Sequence, residues 1–423
     1  MATLKASRQG LAKIRQKRKE LGWPIGDHRW LEEASSILGV SWEEKGYLAD
    51  GISEGTWSRF LKGKEGINTP AFKAYCQVLT INWEEVANPL ERQDWDSAPD
   101  VSVFYGRTEE LGRLEEWIVK DHCRVVALLG IGGIGKTTLS VKLAKQIQDD
   151  FKSLIWRSLR GDPPLQDLLG ELILSLSNQH KTDLSHTLEG RLSQLMECLR
   201  SQRCLVVLDN WETVLDTGSL AGHPRQGYEG YGELLKRVGE SQHNSCFVLT
   251  SWEKPKEIAA IEGPNLPVRS WKLKGLGSDA KNILKEKGLQ EESLWEELIQ
   301  LYKGNPFALK IVATTIKDLF DGGVSDFLNG TLFLGDFEYL LSEQFERLSQ
   351  LEKKFLVYLG NYAEPVSRSQ LQDFFCSEIS VTELLKALES LNRRCLVEKI
   401  NNENGTFFTL QPALAKYVTR KYK

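Results

Sequence analysis

The stretch that decides the fold is Arg124-Val-Val-Ala-Leu-Leu-Gly-Ile-Gly-Gly-Ile-Gly-Lys-Thr-Thr138. Its apolar run, residues 125–129, predicts a buried strand that stops at Gly130, and a helical pattern begins after Gly135. Between them lies Gly-x-x-x-x-Gly-Lys-Thr, the pattern of a phosphate-binding loop. Glycines let successive N–H groups curl around an anion, and the next helix adds its positive N-terminal end. The alternative, a glycine-rich turn that binds nothing, is disfavoured because a strand and a helix flank the pattern.

The side chains of this motif predict the chemistry of the bound group. Lys136 is expected to reach the β- and γ-phosphates, and the Thr137 hydroxyl to ligate Mg²⁺. The residues predicted to cradle the phosphates are Gly130, Gly132, Gly133, Ile134, Gly135, Lys136, Thr137 and Thr138.

A second apolar run ends in an acid. Residues 203–210 read Arg-Cys-Leu-Val-Val-Leu-Asp-Asn, which predicts a strand ending at Asp209. A carboxylate there can hold Mg²⁺ beside the phosphate loop, so we predict Thr137 and Asp209 as metal ligands. Asn210 stands where a second acid could polarise a water, and an amide can only orient one. Catalytic roles are therefore predicted for Lys136, Asp209 and Asn210, with slow or absent ATP hydrolysis.

The composition is that of an ordinary globular protein. The 423 residues are 41% hydrophobic and 26% charged, with a net charge of −4, which favours neither a nucleic-acid nor a membrane partner. No apolar run approaches the ~20 residues that a membrane span needs. The seven scattered cysteines predict buried, reduced thiols and a cytoplasmic location. No metal site of cysteine or histidine ligands is expected.

Residues 1–90 read as four or five short helices that resemble a helix-turn-helix bundle. Ser53 is a good N-cap for a helix running to Gly63, and Trp57, Phe60 and Leu61 fall on one face of it. If that helix reads DNA, the candidate contacts are Ser53, Glu54, Thr56 and Arg59, with Lys62 and Lys64 on phosphates. The region holds thirteen basic and eleven acidic residues, a weak charge signal. A helical adaptor that contacts another protein is therefore the competing interpretation.

The rest of the chain predicts three modules after a linker. Asn88 to Asp100 is polar and contains two prolines, and residues 91–100 are predicted as the linker. Alternating strands and helices over 101–274 predict an α/β domain with a parallel sheet. Helices dominate 275–330, and helices with a hairpin make up 331–423. The Gly- and Tyr-rich residues 225–234 predict a shaped loop at the sheet edge, either part of the site or plain surface.

Five motifs occur in an order that resembles a known family. They are Phe-Tyr-Gly-Arg at 104–107, the loop at 130–137, Leu-Asp-Asn at 208–210, Leu-Thr-Ser at 249–251 and Gly-Asn-Pro-Phe-Ala-Leu at 304–309. Together they resemble the NB-ARC module of the STAND class of signalling ATPases. The resemblance implies an α/β P-loop domain, a helical lid domain over 275–330 and a winged helix over 331–423. The N-terminal region is similar to helix-turn-helix segments that precede such modules in bacterial, especially cyanobacterial, members.

The resemblance also implies roles for single residues. Phe104, Gly106 and Arg107 match the segment that packs near adenine and ribose, and Pro306 matches the proline that abuts the base. Gln411 stands near the place of a histidine that touches the β-phosphate of ADP. Trp252 departs from the pattern, because the family usually has an arginine there that senses the γ-phosphate. An indole cannot donate a charged fork to a phosphate.

These observations predict a nucleotide-dependent switch. ADP with Mg²⁺ is expected to hold the modules closed, and exchange for ATP to permit self-association and redeploy the N-terminal domain. The alternatives are a DNA-binding regulator whose P-loop module drives assembly, and an active remodelling ATPase. We find no 20–50-residue repeat, so a sensor is expected in a protein partner or beyond the present sequence.

Overall fold

The computed structural model describes residues 3–87, 92–96, 98–177, 183–330, 332–362, 364–375, 377–403 and 405–422. Parts of the predicted linker (88–91 and 97), together with Cys376 and Lys423, lie outside these ranges. The chain divides into two compact units. The first comprises Met1–Gln93, Gln146–Leu154 and Gln202–Cys204, and the second comprises the remainder.

The N-terminal region is a helical bundle around an aromatic core. Trp30 stacks on Trp57 with ring centroids 5.0 Å apart, and Phe60 meets Phe72 edge-on at 5.2 Å. All four rings are buried, and they supply much of the apolar area that stabilises so small a unit. Its elements are β1 (Thr3–Leu4), α1 (Arg8–Leu21), α2 (Arg29–Ile37), α3 (Trp42–Lys45), α4 (Glu54–Lys62), β2 (Ile67–Asn68), α5 (Thr69–Val78) and α6 (Trp83–Val86), and β1 pairs antiparallel with β2.

Helix α4 begins and ends where the sequence predicted. The Ser53 hydroxyl accepts from the Thr56 amide at 3.2 Å, and the Ser53 amide donates to the Thr56 hydroxyl at 2.8 Å. This reciprocal pair satisfies two amides that the first helical turn leaves unbonded. Gly63 ends the helix at φ 62°, a left-handed conformation that glycine adopts without strain.

A six-stranded sheet carries the predicted α/β domain. Its order is β3-β5-β6-β7-β4-β8. The pairings of β4 with β7, β4 with β8, and β6 with β7 are all parallel, which confirms the parallel-sheet prediction. The strands are β3 (Arg92–Asp94), β4 (Val125–Leu129), β5 (Ser153–Ser158), β6 (Cys204–Asp209), β7 (Cys246–Ser251) and β8 (Val268–Lys272).

Strand order explains where the polar groups gather. Every residue of β4, β6 and β7 is buried, as expected for strands covered on both faces. Because β7 lies between β6 and β4, the carboxyl ends of the three strands are neighbours at one edge of the sheet. Ligand sites of open α/β sheets lie at that edge.

Helices account for most of the second unit. Those up to residue 261 are α7 (Thr108–Glu115), which continues as a π-helical turn to Lys120, α8 (Lys136–Ile147), α9 (Leu165–Leu176), α10 (Leu188–Ser201), α11 (Glu229–Glu240) and α12 (Lys256–Ile261). The later ones are α13 (Lys281–Glu286), α14 (Trp295–Leu301), α15 (Pro306–Leu319), α16 (Val324–Leu328), α17 (Phe337–Glu346), α18 (Gln350–Gly360), α19 (Arg368–Phe375), α20 (Val381–Arg393) and α21 (Pro412–Lys421). An antiparallel sheet of order β10-β11-β9 lies among the last of these, with β9 at Val366–Ser367, β10 at Glu398–Asn402 and β11 at Gly405–Thr409. Among the described residues, no helix is long and apolar enough to cross a membrane.

Two predictions of local structure need correction, and one helix was not predicted. The linker is not irregular throughout, because Arg92–Asp94 form edge strand β3. Residues 225–234 are not wholly a loop, because α11 begins at Glu229. In the region predicted to be helical, α13 and α14 are separate helices, and Gly288 takes φ +69° between them. The terminal helix α21 was not predicted, and its first residue is Pro412, a favourable first helical position.

Candidate functional site

The phosphate loop connects β4 to α8 as predicted. Gly133 and Gly135 have φ values of +76° and +97°, which residues other than glycine rarely adopt. Helix α8 begins at Lys136, so the amides at its start have no partner one turn earlier in the helix. The loop therefore combines left-handed glycines with a helix N-terminus, the geometry that binds phosphate.

The Lys136 side chain folds back over this loop. Its ammonium donates to the carbonyl oxygens of Gly130 at 2.9 Å and Ile131 at 3.1 Å. Burial lowers the pKa of Lys136, while the nearby Glu212 and Asp209 carboxylates act in the opposite direction. The Lys136 charge is therefore held at this end of the loop, where a phosphate is predicted to bind.

Asp209 and two hydroxyls form the predicted metal-binding corner. Oδ1 of Asp209 accepts from Thr137 Oγ1 at 2.8 Å and from Thr250 Oγ1 at 2.6 Å. Burial raises the pKa of Asp209, and the two hydroxyl bonds oppose that shift. One carboxylate and one hydroxyl suit Mg²⁺, which takes few protein ligands and keeps phosphates and waters for the rest. The described residues contain no cluster of three or more histidine, cysteine or acidic side chains that could hold a metal ion.

Glu212 is a site residue that the sequence did not identify. Asn210 adopts a left-handed conformation at φ 62°. The short 3-10 helix that follows it contains Glu212, which lies near the carboxyl ends of β6 and β7. The Glu212 carboxylate accepts from the Trp252 amide at 3.3 Å and from Asn210 Nδ2 at 3.4 Å. Burial raises its pKa, and the Lys136 charge opposes the shift. An acid thus lies next to the Asp209–Lys136 pair, although Asn210 itself is an amide.

Arg107 holds the loop from the side. Its guanidinium donates to the Ile134 carbonyl at 3.0 Å and to the Lys274 carbonyl at 2.7 Å, and pairs with Glu110 at 2.6 Å. The residue is buried, so it ties the loop to the chain after β8. Gly106, at φ +60°, is also constrained, because a Cβ there would lie 2.5 Å from the Asp279 carboxylate. The Phe104 ring lies 5.5 Å from the Lys142 ammonium, and its predicted contact with adenine stays a prediction.

Helix α15 contacts the loop through its first residues. Asn305 Nδ2 donates to the Gly132 carbonyl at 3.0 Å, while its Oδ1 caps α15 by accepting from the amides of Phe307 and Ala308. The Phe307 amide donates to the Gly133 carbonyl at 3.3 Å. Pro306 is the nearest neighbour that a Cβ on Gly135 would meet, at 4.0 Å. The Gly-Asn-Pro motif therefore lies against the loop, and the predicted contact of Pro306 with the base stays a prediction.

Known proteins share this part of the chain. The model of the NB-ARC domain family matches residues 107–222, which span Arg107, the loop, Asp209 and Glu212. The chain contains an NB-ARC domain. This confirms the predicted resemblance to the NB-ARC family over these residues, and the parallel sheet fits the P-loop NTPase fold.

Longer relatives contain comparable segments. An uncharacterized WD repeat-containing protein of Nostoc sp. is 49% identical over 455 residues, which cover 99% of this chain and 36% of that protein. A disease resistance-like protein of Arabidopsis thaliana is 25% identical over 332 residues, covering 74% of this chain and 25% of the relative. The chain thus spans about a third or less of the length of these curated relatives.

Two archaeal structures are similar at lower levels. A STAND protein with a tetratricopeptide repeat sensor from Pyrococcus horikoshii is 20% identical with a TM-score of 0.42, over 78% of this chain and 44% of that chain. A Walker-type ATPase of Pyrococcus abyssi is 17% identical with a TM-score of 0.49, over 77% and 99% of the two chains. Both scores are low, so the assignment rests on the family match and the loop geometry.

The C-terminal helices also reach the NB-ARC domain. Gln344 on α17 accepts from the Gly132 amide of the loop through Oε1 at 3.0 Å. The resemblance places Gln411 near the position of a histidine that touches the β-phosphate of ADP. Gln411 precedes α21, and among the described residues no hydrogen bond joins it to the loop. Gln344 therefore bonds the loop itself, and the contact of Gln411 with a phosphate stays a prediction.

A buried ionic cluster lies beside Trp252. Glu253 pairs with Arg347 at 2.6 Å and with Arg394 at 2.7 Å, and Arg394 also pairs with Glu352 at 3.0 Å. Both carboxylates and Arg394 are almost fully buried. Arg347 also donates to the Glu212 carbonyl at 2.8 Å. Position 252 is a tryptophan where the resemblance implies an arginine. At the next residue, Glu253 pairs with Arg347 and Arg394, the C-cap residues of α17 and α20.

The predicted DNA contacts have two different environments. Thr56 is buried, and its hydroxyl bonds to Ser53 and Tyr75, so its predicted role as a reader of base edges is wrong. The other five candidates, Ser53, Glu54, Arg59, Lys62 and Lys64, are exposed. Their contact with DNA stays a prediction.

Proposed function

We propose that the protein is a nucleotide-dependent molecular switch that binds ADP or ATP with Mg²⁺. The single observation that carries this is the set of hydrogen bonds between the phosphate loop and two other parts of the chain, α15 and α17. A ligand that fills the loop necessarily acts on those contacts. Differential contacts of this kind are what allow a nucleotide to shift a protein between two states.

Within this proposal the resemblance assigns the parts. Residues 275–330 act as the helical lid, and 331–423 act as a winged helix that clamps the nucleotide. Helices α18 to α20 and the sheet β10-β11-β9 are consistent with that second assignment. In the ATP state the clamp opens, the protein self-associates in the cytoplasm, and the helix-turn-helix-like region 1–90 becomes available to a protein partner or to DNA.

The residues that follow β6 and β7 affect how fast ATP can be hydrolysed. Asn210 and Trp252 replace an acid and an arginine that would support it, which favours slow turnover and hence a switch. Glu212 is the observation that favours the runner-up, an active ATPase, because it is an acid beside Lys136 and Asp209. Phosphate release of about 1 s⁻¹ or faster, within the usual enzyme range, would support the ATPase instead.

Replacement of Lys136 tests nucleotide binding itself. Lys136→Ala removes the buried ammonium, and we expect it to abolish calorimetrically detectable binding of ADP with Mg²⁺. Lys145→Ala, which is exposed near the end of the same helix α8, is the control and should bind ADP as the wild type does. Unchanged ADP affinity in Lys136→Ala contradicts the proposal.

A further inference from the structure

Helix α17 lies so close to the phosphate loop that there is no room for a side chain at Gly132. A Cβ on Gly132 would lie 2.5 Å from Leu340 Cγ. Gln344, one turn further along the same face of α17, accepts from the Gly132 amide at 3.0 Å and is 4% exposed. One helical face therefore both covers Gly132 and occupies its hydrogen-bond donor.

The position of Gly132 along the loop identifies which phosphate this amide faces. The amides from Gly135 onwards lie at the start of α8, where the cradle holds the phosphates nearest the nucleoside. Gly132 lies at the other end of the loop, next to the carbonyls of Gly130 and Ile131 that accept from Lys136. A lysine at this position serves the β- and γ-phosphates. The Gly132 amide thus belongs to the end of the cradle where a third phosphate would lie.

We propose that Gln344 is a specificity-determining residue that sets the preference of the loop for a nucleoside diphosphate over a triphosphate. The inference rests on the proposed nucleotide binding. A diphosphate leaves the bond between Gln344 and Gly132 in place. A γ-phosphate must take over the Gly132 amide, which leaves a buried amide oxygen of Gln344 without its donor and displaces α17. Losing the partner of a buried polar group destabilises the triphosphate-bound state.

The same helix transmits the displacement. Arg347 follows Gln344 by three residues and pairs with Glu253 at 2.6 Å. Because Arg347 is the C-cap residue directly after α17, α17 cannot leave Gly132 without disturbing the ionic cluster at the end of β7. The bond between Gln344 and Gly132 thus distinguishes ATP from ADP by the γ-phosphate, which Trp252 cannot do.

The experiment measures ADP and ATP affinities by calorimetry with Mg²⁺, using a non-hydrolysable ATP analogue alongside ATP. In Gln344→Ala the Gly132 amide is free, and we expect ATP affinity to rise about tenfold, the low part of the range for coupled sites, while ADP affinity changes less than about twofold. In Gln344→Glu the added negative charge should weaken ATP binding further relative to ADP. Gln350→Ala is the matched control, because Gln350 is exposed at the start of α18.

The outcomes separate this inference from the proposed function. If the wild type binds neither nucleotide, the proposed function is wrong and the inference fails with it. If both nucleotides bind and their affinity ratio is the same in the wild type, Gln344→Ala and Gln344→Glu, only the inference is overturned. A thermal melt of each variant identifies one that does not fold, and Gln344→Asn, whose shorter side chain withdraws the oxygen, then replaces it with the same expected rise in ATP affinity.

Discussion

At the scale of single residues, the site consists of charges that the fold has removed from water. Lys136, Asp209 and Glu212 are 7%, 3% and 3% exposed. Burial disfavours the charged form of all three, lowering the pKa of Lys136 and raising those of Asp209 and Glu212. Buried charged groups lower the stability of the folded state, and they concentrate at functional sites.

Glu212→Gln should therefore stabilise the nucleotide-free protein at neutral pH. Because the pKa of Glu212 is raised above 4.5, its neutral form is favoured by folding, and wild-type stability falls as pH rises from 4.5 through the raised pKa. The glutamine lacks this loss. We expect a melting temperature on the order of 2 °C higher than that of the wild type at pH 8, with the difference shrinking toward pH 4.

The control for this comparison is Glu286→Gln, whose side chain is exposed on α13. It should show no such pH-dependent gain. A Glu212→Gln protein whose melting temperature tracks the wild type at every pH would show that the Lys136 charge fully offsets the burial of Glu212.

At the scale of elements, the phosphate loop is shaped by what packs on it as well as by what it binds. A Cβ on Gly133 would lie 2.7 Å from Phe307 Cβ, and the residue already has φ +76°. Gly133→Ala therefore combines backbone strain with a clash against the start of α15. We expect it to lower the free energy of unfolding by about 2 kcal/mol in urea titrations and to weaken ADP binding.

Gly161→Ala serves as the comparison for that loop variant. Gly161 lies in an exposed turn, and a Cβ there would have nothing within 4 Å. Its stability should remain within about 0.5 kcal/mol of the wild type. Equal losses in the two alanine variants would mean that α15 does not restrict the loop.

Sequence patterns predicted the elements well where the physics is local. The apolar run 125–129 and the Ser53 cap both depend on neighbours within a few residues, and the structure has them. The bond between Gly132 and Gln344 joins residues 212 apart, and no periodicity signals it. Strand β3 was missed because a short polar edge strand lacks the apolar alternation that identifies strands.

Parts of the site were missed because they depend on backbone torsions and contacts that no sequence pattern signals. Glu212 depends on the left-handed Asn210, a conformation that asparagine tolerates more readily than most residues. That single torsion directs Glu212 toward Lys136, and an Asp-Asn pair after a strand gives only a weak signal of it. Arg107 was predicted to pack near the nucleoside, and the structure shows in addition that it bonds the loop carbonyl of Ile134.

At the scale of the whole molecule, the ionic cluster at Glu253 joins segments far apart in sequence. Arg394→Met leaves Glu352 and one oxygen of Glu253 without their guanidinium partner. Removing one member of a buried pair typically costs about 3–5 kcal/mol, so we expect a loss of about 3 kcal/mol in urea unfolding. Faster proteolysis of residues 331–423 should accompany it, because Arg394 also donates to the Ser219 carbonyl.

The adjacent arginine provides a matched control. Arg393 pairs only with Glu389 among the described ion pairs, and the carboxylate of that pair is exposed. Arg393→Met should therefore change the stability by no more than about 0.5 kcal/mol. Similar unfolding midpoints for the two methionine variants would refute a structural role for the cluster.

The contact between Leu340 and Gly132 has a consequence for homologous chains. A homologue with alanine or any larger residue at the position of Gly132 has no room for a leucine where Leu340 stands. Such a chain must seat this helix elsewhere or shorten the side chain opposite. Reading those two alignment columns together would therefore sort homologues by how their helix docks, before any of them is crystallised.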